Sequence, residues 1–444
     1  MKIAYFSPFP PQQTGIALYS QQLVGELRRL MEVDCYDFDN DEATDPSKHF
    51  GDFAIVGRIK DLGACDAVVY HLGNNPHFHL QIFRTLRLWP GIVVLHDVVL
   101  YYLFAGLGPV GLRKHLCMVE GNSGTESMDE IAHTAPGGDL LRYPSPEKHP
   151  LTAAVFPYAR CLVVHNQTAR QRLFTMGYTG KIAVIPLLAF PSAETAATRA
   201  AIASLRQRHS LGADEIVVAC LGFLGPTKRI AQLCGALGMI RDEIKFRLII
   251  VGDGDDVSGL VSAAGLDGVT IRTGFVGAEE FSSYLGLTDI LVNLRFPSMG
   301  ESSATLTRAM ELGKPSIVTR DAAFADLPDD AVYKIDLGPD EERDLAEAIR
   351  KLATDANLRA RLGSAGQRYA REQLNPGKIA REYERVIAAE SQHRAQSALM
   401  ADQSADAAIQ AAGQMLQDSI FRALPSTARQ TVPPLSAGRR HASE

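Results

Sequence analysis

The chain has 444 residues, 46% of them hydrophobic and 22% charged, a composition with ample apolar material to bury that excludes a chain disordered throughout. That length exceeds one ordinary core, so two domains of roughly 150–200 residues each, plus extras, are expected. Lys and Arg number 45 against 51 Asp and Glu, a formal charge of −6, which gives no nucleic-acid footprint over the whole molecule.

The opening "MKIAYFSPFPPQQTG" holds one Lys and an apolar stretch too short for a secretory signal, cut by prolines. The runs "KIAYFSP", "EVDCYDF", "DAVVYHL", "GIVVLHD", "CLVVHNQ" and "KIAVIPL" predict strands, with helical spacing in "GIALYSQQLVGELRRLM" and "NPHFHLQIFRTLRLW" between them. Continuous rather than alternating apolar runs imply strands covered on both faces, and the βαβ rhythm implies a parallel, doubly wound sheet. The polar, Gly-rich stretch 119–149 reads as a mobile loop beside a cleft.

Near residues 188–193 the chain passes prolines and a polar helix, and the rhythm restarts with "EIVVACLGFLG", "KFRLIIVGDGD", "VTIRTGFV", "DILVNLRFP", "KPSIVTR" and "AVYKI". The expected organisation is therefore an α/β domain over 1–188, a second over 194–375, a closing helix over 376–395 and a tail over 396–444. In the tail, Ile409, Ala412, Leu416, Ile420 and Leu424 share one helical face up to Pro425, and the Ser/Pro/Arg-rich remainder reads as disordered. No apolar run reaches 18 residues, so nothing is expected to span a bilayer. The six cysteines, Cys35, Cys65, Cys117, Cys161, Cys220 and Cys234, lack metal or disulfide spacing and read as reduced, buried and cytoplasmic.

Two facing α/β sheets leave a cleft between their carboxyl edges, where ligands of such folds bind. In "SPFPPQQTGIALYS" the amides around Gly15 sit at a helix N-terminus aimed into that cleft, which suits an anion or only a tight turn. "LGFLGPTKRIAQL" repeats the arrangement with Gly222, then Lys228 and Arg229 where a helix opens. A cation there opposes the helix dipole unless an anion lies between, so a phosphate is expected. No Walker-type loop is present.

"RFPSMGESSATLTRAMELGKP" places Arg295, Gly300 and Glu301 before a helix mouth formed by Ser302, Ser303 and Thr305. Hydroxyls and free amides there cap the helix and hold an anion, and Glu301 accepts hydrogen bonds from ligand hydroxyls, a pairing that suggests a sugar phosphate. His96 ends "GIVVLHD" at the functional edge of its sheet. His71, His77 and His79 with Asn74 and Asn75 form a polar turn at the cleft rather than a metal site. The Asp-x-Asp pairs in "VGDGDD" and "YDFDND" lack the Glu of a calcium loop and read as turns.

In this order the motifs resemble the family-4 retaining glycosyltransferases of the GT-B fold over about residues 1–390. They are the Gly-bearing loop after the first strand, His at the end of "VVLHD", "GFLGPTK", "VGDG", "DILVNLRFPSMGE" and "AMELGKP". The resemblance implies two Rossmann-like domains, acceptor side first and nucleotide-sugar side second, and a sugar transferred from a nucleotide diphosphate to a saccharide or lipid-linked saccharide with retained configuration. It implies a role in cell-surface polysaccharide or glycolipid synthesis.

It also implies His96, Glu301 and Lys228 as catalytic and a donor site of Gly15, Gly222, Lys228, Arg229, Arg295, Gly300, Glu301, Ser302, Ser303 and Thr305, in which Gly15 contacts the diphosphate, Lys228 neutralises it and the amides of Ser302 and Ser303 hold it. His96 falls at the donor sugar, Glu301 on the sugar hydroxyls, and His71, Asn74 and Asn75 on the acceptor side. No metal or other cofactor is implied, because fixed cations and helix dipoles meet the leaving diphosphate. With no evident covalent nucleophile, same-face attack assisted by the leaving phosphate is expected.

Two positions depart from the pattern. Phe223 stands where the family has Arg, with Arg229 or Arg295 as substitutes, and Arg308 precedes "AMELGKP" where a second Glu is usual. A nucleotide-sugar epimerase of the same architecture and a non-catalytic partner subunit are the alternatives. The location implied is cytoplasmic, with room for peripheral contact at the inner membrane face through the first helix or the tail.

Overall fold

The computed structural model describes residues 1–36, 62–190, 195–393 and 396, together with the backbone at 49–50 and 53–54. The chain divides into two compact units, Met1–Ala388 and Ala389–Glu444. In the second unit residues 389–393 and 396 are helical. The stripe expected over 401–424, the disordered end, the Asp-x-Asp of "YDFDND" and residues 191–193 of the junction lie outside the described residues.

The first unit begins β1 (Lys2–Phe6), α1 (Gly15–Leu27), β2 (Glu32–Tyr36) and a short antiparallel pair, β3 (His49–Phe50) and β4 (Phe53–Ala54). It continues β5 (Ala67–Leu72), α2 (Pro76–Leu88), β6 (Gly91–Leu95), α3 (Tyr101–Ala105), α4 (Gly108–Glu120), α5 (Gly124–Thr134), β7 (Ala159–Val164), α6 (Gln167–Thr175) and β8 (Lys181–Val184). Six parallel strands form a sheet in the order β2-β1-β5-β6-β7-β8. The central strands β5 and β6 are buried along their whole length, while the edge strands β2 and β8 are partly exposed. That is why the central runs are rich in Val, Ile and Leu without polar alternation.

A second parallel sheet, in the order β11-β10-β9-β12-β13-β14, is built from α7 (Ala196–Arg208), β9 (Ile216–Leu221), α8 (Ile230–Met239), β10 (Phe246–Val251), α9 (Ser258–Ala263), β11 (Thr270–Arg272), α10 (Ala278–Leu287) and β12 (Ile290–Asn293). The remaining elements are α11 (Ala304–Glu311), β13 (Ser316–Thr319), α12 (Ala322–Ala325), β14 (Tyr333–Ile335), α13 (Glu341–Thr354) and α14 (Ala356–Gln373). All twelve expected strands are present. Strand order reverses between β1 and β5 in one sheet and between β9 and β12 in the other, and the loops leaving those strands frame the crevices where ligands enter such sheets.

Residues 376–388 form a helix that returns to the first sheet. Ile379, Tyr383 and Ile387 are fully buried among Ile3, Tyr5, Leu23 and Val69. Their spacing of four places one stripe on the core, and each such side chain contributes about 1.5–3 kcal/mol of burial.

Two expectations are corrected. The stretch 119–149 is helical rather than a mobile loop. After α4, α5 and four short 3-10 turns follow, held by Met128, Ile131, Leu140 and Tyr143 in the core. The apolar positions are spaced as on short helices, and the intervening glycines lie at turns, Gly121 and Gly138 having φ of 66° and 74°. Of the six cysteines five are buried, but Cys117 is exposed on α4.

Candidate functional site

β9 ends at Leu221, and the chain turns at Gly222, whose φ of 103° favours glycine. A Cβ placed on Gly222 would lie 3.1 Å from Lys228 Nζ and 3.4 Å from Thr305 Oγ1. An ammonium and a hydroxyl therefore meet in front of a residue with no side chain. Lys228 closes a 3-10 turn, Pro226–Lys228, and is 4% exposed. Its Nζ donates to the Leu221 carbonyl. Among the described residues it makes no ion pair. Burial pulls its pKa down to about 8, with Arg295 adding to the effect and Glu301 opposing it.

Thr305 belongs to the first turn of α11, where Ser303 caps the helix by accepting from Leu306 N at 3.2 Å. First-turn amides have no intrahelical acceptor and carry the positive end of the helix dipole. Glu301, just before this mouth, accepts from Met299 N at 2.7 Å and Ser298 Oγ at 3.3 Å and pairs with Arg295 Nε at 3.2 Å. The carboxylate is thus oriented before any ligand arrives.

Arg229 is the N-cap residue of α8 with φ of 55°. It grips Glu341 with two hydrogen bonds, the Nε–Oε1 bond being 2.6 Å. Glu341 is 2% exposed. The cation expected to need an anion at this helix mouth therefore meets a protein carboxylate at the start of α13. Phe223 is 74% exposed. Arg308 lies over Phe190 at 4.3 Å and Phe281 at 5.6 Å.

The "VGDGDD" stretch forms the expected turn. Leu224 N donates to Asp253 O at 2.8 Å and Asp255 N to Leu224 O at 2.7 Å. A Cβ at Gly252 would sit 2.2 Å from Gly222 O, so only glycine allows this approach. Between the loops after β9, β10 and β11 lies an open pocket of about 300 Å³, lined among others by Leu224, Asp253, Asp255, Arg272 and Gly274.

On the first sheet Thr14 caps α1, and a Cβ at Gly15 would meet nothing within 4 Å, so the space before this helix is open. His71, His96 and His165 end the adjacent strands β5, β6 and β7 and are all buried. Burial keeps each pKa below the usual histidine range. In their neutral forms the Ile185 carbonyl fixes the order of protons. His165 Nδ1 donates to it at 2.9 Å, His96 Nδ1 donates to His165 Nε2 at 3.2 Å, and His71 Nδ1 donates to His96 Nε2 at 2.9 Å. Both ring nitrogens of His96 are thereby used within the protein, and among the described residues His71 Nε2 is left buried without a partner. Tyr19 stands edge-on to His96 at 5.1 Å, and its hydroxyl meets that of Tyr383 at 2.9 Å.

Asn75 caps α2, accepting from His77 N at 2.9 Å. Asn74 Oδ1 accepts from Tyr102 N at 2.8 Å, and Asn74 N donates to Asp97 at 2.8 Å. The two sheets meet at the Glu301 loop. Val98 N and Val99 N donate to Met299 O at 2.7 and 3.0 Å. Asn166 Nδ2 donates to Gly300 O at 3.1 Å, and Arg172 Nη1 to Ser298 O at 2.7 Å. Gly300 has φ of 86°, and a Cβ there would strike Val98 at 2.6 Å. Sequence reasoning passed over His165, Asn166 and Arg172. For His165 and Asn166 the signal was available in "CLVVHNQ", where the first polar residues after a buried run fall on the functional edge, whereas Arg172 lies within α6 and had none.

Residues 202–369 match the family described as Glycosyl transferases group 1. A search of curated proteins finds no match. Among solved structures the chain is similar to sucrose-phosphate synthase from Thermosynechococcus elongatus, at 18% identity and a TM-score of 0.59 over 88% of this chain and 100% of that one. It is also similar to Anabaena Alr3699/HepE in complex with UDP and glucose, at 16% and 0.59, again over 88% and 100%. WaaG, a glycosyltransferase involved in lipopolysaccharide biosynthesis, gives 16% and 0.53 over 85% and 98%.

At these identities the likeness shows the fold, which is GT-B. Within the glycosyl transferases group 1 segment lie Gly222, Lys228, Arg229, Arg295, Gly300, Glu301, Ser302, Ser303 and Thr305, whereas Gly15, His71, Asn74, Asn75 and His96 lie on the other sheet of the GT-B fold. No helix among the described residues is long and apolar enough to cross a membrane.

Proposed function

We propose that this protein is a retaining glycosyltransferase of the family-4 kind, moving a sugar from a nucleotide diphosphate to a saccharide or lipid-linked saccharide in cell-surface polysaccharide or glycolipid synthesis. One observation carries the reading. Lys228 is a buried ammonium group without an ion pair among the described residues, and an isolated charge in such a place is costly unless a ligand neutralises it. The hydroxyl of Thr305 and the open first turn of α11 converge on the same point, so the ligand is an anion with several acceptor oxygens.

A diphosphate fits, and its charge grows as the glycosidic bond breaks, so groups already aimed at it lower the barrier. Glu301 accepts from the sugar hydroxyls, and the pocket beside Gly252 and Gly274 receives the nucleoside. The complex of HepE with UDP and glucose supports a nucleotide-sugar donor in this fold.

The test is a panel of UDP-, GDP- and ADP-sugars, followed for donor consumption with and without saccharide acceptors. Consumption of one donor with sugar release or transfer is expected. Conversion of the donor to another sugar without release would instead make this an epimerase, and no binding or turnover of any donor would overturn the reading. Glu301→Ala is expected to slow consumption at least tenfold, about 1.4 kcal/mol in the barrier, in a folded protein. Consumption at the wild-type rate would remove Glu301 from the site.

Because fixed cations meet the diphosphate, activity is expected to survive EDTA. Complete loss on chelation, restored by manganese or magnesium, would require a metal at this site.

A further inference from the structure

One contact places the pocket between the loops after β9, β10 and β11 at the anion site. Gly252, in its wall, packs so closely on Gly222 that a Cβ would run into Gly222 O, and Gly222 is the residue in front of the Lys228 ammonium. That ammonium is buried and makes no ion pair among the described residues, so it marks the end of the pocket where the charged part of a ligand sits. Leu224 and Ile250 give the pocket an apolar wall. Phe223 and Phe275, the chain neighbours of Leu224 and Gly274, are both exposed. Uncovered rings beside an open pocket suit a flat base, and stacking of this kind holds every base alike.

Selectivity has to come from the edge of the base, and there the three carboxylates that follow β10 differ. Asp256 is taken by Arg272 at 3.0 Å and by Ser258, whose N and Oγ donate to it at 3.0 and 2.8 Å. Arg272, the cation lining the pocket, is thereby engaged. Asp253 Oδ1 accepts from Gly254 N at 3.0 Å. Asp255 lines the pocket, and its carboxylate makes no hydrogen bond or ion pair among the described residues. Its main chain is fixed, since Asp255 N donates to Leu224 O at 2.7 Å.

We infer that Asp255 reads the base of the donor and that this base is guanine, an inference that rests on the glycosyltransferase reading above. A carboxylate offers two acceptor oxygens side by side and no donor. Guanine presents its N1–H and its exocyclic amino group next to each other, so both oxygens are matched in a charge-assisted bidentate pair. Uracil sets a single N–H between two carbonyl oxygens, and adenine sets its amino group beside an unprotonated ring nitrogen. With either of these, one carboxylate oxygen faces a lone pair, which works against the wrong base as the pairing works for the right one.

The experiment compares GDP, IDP, UDP and ADP by calorimetry on the wild type and on Asp255→Asn, at one salt concentration. The wild type is expected to bind GDP about tenfold or more tighter than UDP or ADP, with IDP, which keeps N1–H and lacks the amino group, in between. Asp255→Asn sets an amide donor against a guanine donor, so its GDP affinity is expected to fall about tenfold while UDP and ADP stay within about threefold.

UDP or ADP binding the wild type as tightly as GDP overturns the inference and leaves the glycosyltransferase reading standing. So does a preference for GDP that survives in Asp255→Asn. IDP binding equal to that of GDP overturns it without any substitution, because the second donor then finds no partner. If none of the four binds the wild type, the underlying reading fails and this inference with it.

Discussion

Replacing Lys228 with methionine is expected to cut donor turnover about a hundredfold, some 2.7 kcal/mol, while raising the thermal midpoint of the free protein. Both effects follow from one fact. The ammonium group is buried, bonded to the Leu221 carbonyl and without an ion pair among the described residues, so the free protein bears its desolvation and a donor complex would use its charge. Sites built for a ligand often show this trade of stability for function.

The pH dependence has a definite sign. With a pKa of about 8, Lys228 is charged below that value and loses its proton above it. Donor affinity should therefore be flat below pH 8 and weaken by up to tenfold per unit above, whereas Lys228→Met should be flat throughout. The depressed pKa also means that the unfolded chain binds more protons than the folded one between about 8 and 10.5, so folding stability rises with pH across that window. Isothermal titration across pH 6.5–9.5, about three units, reads the first effect. An affinity for the diphosphate that is unchanged in Lys228→Met would remove Lys228 from the anion site.

The largest loss of stability is expected at Glu341. Glu341→Ala strands the Arg229 guanidinium beside α8 and should cost about 3–5 kcal/mol, the usual result of breaking one side of a buried ion pair. Arg229→Ala should cost a similar amount, and the double variant should cost less than the sum, because the second substitution removes the charge that the first leaves unpaired. Urea unfolding with unchanged slopes reads this directly. If Glu341→Ala unfolds within about 0.5 kcal/mol of wild type, the pair contributes nothing and Arg229 is free to serve the donor.

The difference between strands and site in legibility has a physical source. A strand buried on both faces must be apolar along its length, so β5, β6, β9 and β12 announce themselves in "VVY", "IVVL", "VVAC" and "ILVN" without reference to anything distant. The stretch 119–149 failed this test because its helices are short and separated by turn glycines, so no window is long enough for the period to show.

In the site, Gly222, Lys228, Glu301, Ser303 and Thr305 were legible because each lies within a few residues of a strand end or a helix start. The partnership of Arg229 with Glu341 was not, since those residues are 112 apart in the chain and only the packing of α13 on α8 joins them. Nor was the histidine chain, because strands β5, β6 and β7 become neighbours only when the sheet forms. His96 looked like a ligand-facing group in isolation and became a link between two other imidazoles once its neighbours were in place.

The clamp on the Glu301 loop is made almost wholly to main-chain oxygens, those of Ser298, Met299 and Gly300. Such a grip reads the path of the chain and is blind to the side chains at 298 and 299. Substitutions at those two positions therefore keep the latch, although they disturb the bond from Ser298 Oγ to Glu301 or the packing of Met299 on the first sheet's core. Position 300 offers no such latitude, because its neighbour across the cleft, Val98, leaves no room for a single added carbon.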